Sequence, residues 1–176
     1  MNIRHLLVAS IVALSACAAP PPPPAPQPAP APKPLPVAPS PPPKLTGDWI
    51  DWPLAAGDWV YRRDERGSIA LFGPTGQNAS VTLRCDTGRR RIYLAREGAS
   101  VSGRMVVRTS STLKEFAAGP TGATPTYLAT EILPTDPILD AMALSRGRFA
   151  IEVDGQQPIA IPAWAEITRI VEDCRG

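Results

Sequence analysis

The sequence predicts a mainly β domain: an antiparallel sandwich or partly open barrel with two short helices, the last one C-terminal and stapled by a disulfide. Three observations carry that prediction. Short runs from Asp58 onward alternate apolar and polar residues with period two. Gly, Asp and Pro cluster between those runs, which is turn chemistry. Only two stretches show helical spacing, and both lie near the C-terminus.

Asp58 to Arg62 and Ser68 to Phe72 flank Asp64-Glu65-Arg66-Gly67, which reads as a hairpin turn. In Ser80 to Cys85, the residues Val81, Leu83 and Cys85 share one face; Ser80, Thr82 and Arg84 share the other. Asp86-Thr87-Gly88 turns the chain into Arg89 to Ala95, with Ile92 and Leu94 on one face. Met105 and Val107 share a face of Arg104 to Thr109. Phe149, Ile151 and Val153 alternate with Ala150, Glu152 and Asp154; Gly155 breaks that strand, and Ile159 and Ile161 return across a turn. The first helix is capped by Thr135 or Asp136, takes Pro137 in its first turn and ends at Gly147. Ile138, Leu139, Met142 and Ala143 are its buried stripe. Pro162 opens the second helix, whose stripe is Trp164, Ile167, Val171 and Cys174. Gly-Pro-Thr-Gly occurs twice, at Gly73–Gly76 and Gly119–Gly122, and reads as two turns, because the flanking residues do not match.

The 176 residues are not uniform: 15 of the 23 prolines fall between Pro20 and Pro43. Residues 1–16 form a head, 17–44 a Pro/Ala-rich spacer and 45–176 the body. Proline fixes φ and removes a donor, so the spacer is expected as polyproline II, reaching roughly 80 Å at full extension. The body carries 15 Lys and Arg against 16 Asp and Glu, so the overall +2 comes from Arg4, Lys33 and Lys44. No body-wide basic field invites nucleic acid. These features exclude a transmembrane bundle and a large enzyme.

In the head, Arg4 precedes an apolar run from Leu6 to Ala16, and the run ends Leu14-Ser15-Ala16-Cys17. A bilayer-spanning helix needs about 20 apolar residues, so the run reads as a signal h-region. The stretch closely resembles the bacterial lipoprotein lipobox. That resemblance implies diacylglyceryl attachment to the Cys17 sulfur, cleavage before it and acylation of the new amine. With Ala18 after the Cys, it implies an outer-membrane lipid anchor, with the periplasmic face expected. The one histidine, His5, would leave with the signal. A mature chain without histidine cannot build a Ser-His-Asp or Cys-His nucleophile, nor an imidazole zinc site.

Two cysteines then remain, and an exported chain with one even pair is expected to join them. Cys85 has core-facing parity on its strand and Cys174 lies on the apolar face of the last helix. A bond would staple helix to sheet; the alternative is two free core thiols.

Candidate chemistry is thin. Ser111-Thr112-Leu113-Lys114 matches S-x-x-K, but the Lys-Thr-Gly and Ser-Asp-Asn partners are missing, and Thr109 to Thr112 reads as a strand edge or turn. Asp136 and Asp140 read as a cap and a solvated helix face; Glu172 and Asp173 do not share a helix face. Arg89, Arg90 and Arg91 follow one turn, and Arg146 and Arg148 flank another. If they converged they could bind an anionic partner; solvated strand ends balanced by acids are the favoured reading. Trp49, Trp52 and Trp59 could line a groove, and are favoured as core. No metal site and no cofactor is expected.

From Asp136 to Ile151 and from Ile161 to Cys174 the chain resembles small exported domains of diderm bacteria. More loosely, the plan from Gly57 to Cys174 is similar to invasion-associated locus B proteins and to a periplasmic accessory protein of type VI secretion. It shares an early Trp strand, the Arg84-Cys85 strand, a basic strand, a short helix and a closing Cys. These families contribute no catalytic residues. Lipoprotein inhibitors of lysozyme also use a Cys-Asp strand, here Cys85-Asp86, and a late Cys. The expected function is a membrane-anchored, non-catalytic envelope lipoprotein with an envelope-protein or cell-wall partner. The alternative is a small cell-wall-active enzyme or a lysozyme-inhibitor-like lipoprotein.

Overall fold

A computed structural model describes residues 45–98 and 101–176. The head, Cys17 and the spacer up to residue 44 lie outside the described residues. The body is one antiparallel sheet of nine strands: β1 (Asp58–Asp64), β2 (Gly67–Gly73), β3 (Val81–Asp86), β4 (Arg91–Glu97), β5 (Gly103–Arg108), β6 (Leu113–Pro120), β7 (Tyr127–Ile132), β8 (Arg148–Val153) and β9 (Ile159–Pro162). Two helices, α1 (Pro137–Ala143) and α2 (Ala165–Arg175), complete it. The strand order is β1-β2-β3-β4-β7-β6-β5-β8-β9. The fold is thus the mainly β, partly open barrel that the alternation predicts, with the last helix C-terminal.

The sheet bends at β6. Residues Leu113 to Ala118 pair with β5, and only Gly119 and Pro120 pair with β7. The bend brings the first and last strands toward each other. The Trp59 indole, on the inner face of β1, donates to the Pro162 carbonyl at 2.9 Å. Leu54 bridges to Ala160 in β9, and the Ala55 amide donates to the Ala160 carbonyl at 2.8 Å. Ala150 and Ala160, outward by parity, are fully buried where Trp49–Ala55 crosses β8 and β9. Trp59 packs on Phe72 with ring centroids 5.3 Å apart, so this tryptophan belongs to the core.

The inner face supplies that core. Ala70, Phe72, Val81, Leu83, Cys85, Ile92, Leu94, Leu128 and Ile132 are buried, and α2 covers them with Ile167, Ile170, Val171 and Cys174. Cys85 and Cys174 form the predicted disulfide, Cα to Cα 5.4 Å. At the middle of β1, the Tyr61 hydroxyl donates to Asp173 at 2.7 Å, and Arg169 stacks 3.7 Å over the Tyr61 ring.

Several sequence expectations need correction. α1 is capped by Asp136, whose side chain accepts the Ile138 amide, but it ends at Ala143 and not at Gly147. The Ser145 hydroxyl closes the following turn by accepting the Ser110 amide and donating to the Arg148 carbonyl. Pro162 ends β9; α2 begins three residues later, and Trp164 at its N-cap is 45% exposed, so it leaves the stripe to Ile170. Strands β6 and β7 have no counterpart in the alternation. Five of the eight residues of β6 are exposed, and Thr130 takes a core-facing position in β7. The two Gly-Pro-Thr-Gly tetrapeptides do the same job: each ends a strand and places its last glycine at positive φ, Gly76 at +78° and Gly122 at +72°.

Candidate functional site

The outer face of β3, β4 and β7 holds a trough. Antiparallel register aligns Thr82, Ala95, Ala129 and Gly119 in one row across four strands. The row beside it is Arg84, Tyr93 and Glu131. Small side chains in one row and long ones in the next cut a trough of about 690 Å³ across the strands, with Pro120 and Thr121 on its other side. Ala95, 6% exposed, lies at its floor.

Charge lines the rim. The Arg84 guanidinium clasps Asp64 through contacts of 2.9 and 2.7 Å. Arg66 meets Asp86 at 3.0 Å, and Arg91 meets Glu131 at 2.7 Å. The Tyr93 hydroxyl donates to the other Glu131 oxygen at 3.2 Å. The Arg84 hydrogen bonds hold the Asp64 carboxyl below the usual carboxylate range. Arg66, helped by the Arg89 amide, does the same for Asp86. Arg89 lines the same trough, and the Tyr93 hydroxyl holds its guanidinium above its ordinary pKa. The fork geometry of arginine suits this paired recognition of planar oxygen groups.

The predicted arginines do not converge. Arg89 and Arg91 stand at the trough. Arg90, at φ +52°, turns the other way and donates to the Arg175 carbonyl at the C-terminus of α2. Arg148 donates to the Trp52 carbonyl at 2.6 Å, and the Gly147 carbonyl accepts the Ala163 amide just before α2. The two arginine groups therefore sit at opposite ends of a helix ~16 Å long. Sequence reading missed Arg66, Tyr93 and Glu131. The outward parity of Arg84 and Tyr93 across the Asp86-Thr87-Gly88 turn was a usable signal; Glu131 was hidden with β7.

The other candidates are engaged structurally. Ser111 lies in the β5–β6 turn, which Thr109 ties by accepting the amides of Ser111 and Thr112. Lys114 of the S-x-x-K match pairs with Asp136, not with Ser111. Asp140 takes both ends of the Arg175 guanidinium, at 2.8 and 3.0 Å. Among the described residues there is no group of three or more His, Cys, Asp and Glu that could hold a metal ion. Among them, too, no helix is long and apolar enough to cross a membrane. Comparison with protein-family models, with curated proteins and with solved structures finds no match to this chain.

Proposed function

We propose that the chain is an envelope lipoprotein, anchored through lipid on Cys17 at the periplasmic face of the outer membrane, whose β domain is a non-catalytic binding or structural accessory. The Cys85–Cys174 disulfide carries the reading. Such bonds persist in oxidising compartments and are rare where thiols are kept reduced. Residues 1–17 supply the matching address: a basic residue, a short apolar run and Leu-Ser-Ala-Cys. The resemblance to exported diderm domains supports the same compartment. The side chains of Ser111, Lys114, Asp136 and Asp140 each serve a turn, cap or ion pair, which favours binding over catalysis. The proline-rich spacer would then hold the domain away from the bilayer, toward an envelope-protein or cell-wall partner.

Metabolic labelling with an alkyne palmitate analogue in a diderm host tests the anchor. Wild type should take up label and fractionate with membranes, and Cys17→Ala should do neither. An unlabelled wild-type protein would overturn the proposal.

A further inference from the structure

We propose that the trough on the outer face of β3, β4 and β7 binds a carboxylate-bearing polysaccharide strand laid across the β-strands. The inference rests on the reading of the domain as a binding accessory and names the chemistry of its ligand.

Four features argue for that occupant. First, the trough runs across the strands. Its floor, from Thr82 to Gly119, spans three inter-strand steps, roughly 14 Å, which suits an extended oligomer more than a single small molecule. Second, the floor row is paired on both sides: Thr82 lies between Leu71 and Ala95, Ala95 between Thr82 and Ala129, and Ala129 between Ala95 and Gly119. An extended peptide, which satisfies its backbone by adding to a free edge, finds no such edge here. A glycan needs none, because its hydroxyls bond to side chains. Third, sugar hydroxyls both donate and accept, and the rim offers both partners side by side: guanidiniums from Arg66 and Arg84, carboxylates from Asp86 and Glu131. The Tyr93 ring, in the same row, supplies an apolar face for a sugar ring.

Fourth, the charge count favours an anionic strand. Arg66, Arg84 and Arg91 are matched by Asp86, Asp64 and Glu131. Arg89, which also lines the trough, is the cation beyond those three pairs. A ligand carboxylate there would gain a fork-shaped partner without breaking a pair already made. A neutral glycan would leave that cation unused.

Affinity electrophoresis of the purified full chain through gels containing polygalacturonate, dextran or poly-L-glutamate tests this. Polygalacturonate should retard the protein, less so as salt rises, and dextran should not. Arg89→Glu should weaken the retardation at least tenfold. Ala129→Trp fills the trough floor from an outward position, and should weaken it as much while leaving the thermal midpoint near wild type. Arg146→Glu, at the far end of α2, should retain wild-type binding. The proposal is overturned if polygalacturonate does not retard the protein, or if Arg146→Glu loses as much as Arg89→Glu. It is equally overturned if poly-L-glutamate binds as tightly as polygalacturonate, which would make the site one for acidic peptides. None of these outcomes bears on palmitate labelling at Cys17, so the anchor stands or falls separately.

Discussion

The same three strands show two different surfaces. On the inner face of β3, β4 and β7, Leu83, Leu94 and Leu128 are fully buried and a disulfide fastens the covering helix to Cys85. On the outer face, one residue along each strand, stand Thr82, Ala95 and Ala129, beside Arg84, Tyr93 and Glu131. The inner set removes apolar surface from water and excludes every other occupant. The outer set spends its charges on one another in solvent, where such pairs contribute little to stability. A strand can therefore place stability on one parity and recognition on the other, with little interference between them.

Removing the staple is the strongest way to break that division. The disulfide closes 89 residues of sequence separation, worth about 4–5 kcal/mol in the chain-entropy model. Cys85→Ala with Cys174→Ala should lower unfolding free energy by about that much in urea titration. Below the transition the trough should be unchanged, because its floor residues Thr82, Ala95 and Ala129 are paired on both sides. A double variant that unfolds at the wild-type midpoint would show that α2 is held by packing alone.

A pair of truncations sharpens the contrast within one strand pair. Leu94 is fully buried, so Leu94→Ala should cost about 2–5 kcal/mol through lost burial and the cavity left behind. Leu94 faces Leu83 across the hairpin; the residue before Leu83, Thr82, points outward and is half-buried, and Thr82→Ala should stay within about 0.5 kcal/mol. Equal effects at the two positions, measured by denaturant midpoint, would sink the idea that parity separates the two tasks.

The inner face was readable in the sequence and much of the outer one was not, for a physical reason. Burial selects apolar residues, so period-two alternation marks Val81, Leu83 and Cys85 directly, and helical spacing marks Ile167, Val171 and Cys174. The disulfide followed from the same parity. Strand β6 escaped because a mostly exposed strand need not alternate. β7 escaped because Thr130 is polar at a buried position, between Pro125 and Pro134. Losing β7 hid Glu131 and Ala129, and with them one side of the trough. The arginines were visible as residues, but whether Arg90 joins Arg89 depends on one residue's positive φ, which no periodicity encodes.

Carboxyls on the two sides of the sheet offer the finest test. Asp173, on the helix covering the inner face, has only 16% of its side chain exposed. Burial alone would raise its pKa. The hydroxyls of Ser68 and Tyr61 and the Arg63 guanidinium together outweigh that influence and leave it below the usual aspartate value. A carboxyl depressed in the folded state stabilises the fold above its unfolded pKa, near about 4, and that contribution is lost as pH falls through the folded value. Asp173→Asn should therefore be less stable than wild type at neutral pH, and the two urea midpoints should converge as pH falls through the folded value. Asp86 is also depressed. Its partner Arg66 is well exposed on the outer face, with 60% of its side chain in solvent, so salt should erase most of the effect of Asp86→Asn. It should erase less of the effect of Asp173→Asn: the Arg63 guanidinium is itself 70% exposed, but the Ser68 and Tyr61 hydroxyls that also hold this carboxylate are neutral, and salt does not screen them. If moderate salt abolishes both differences equally, the hydroxyls add nothing at Asp173, and both carboxylates are held by their exposed arginines alone.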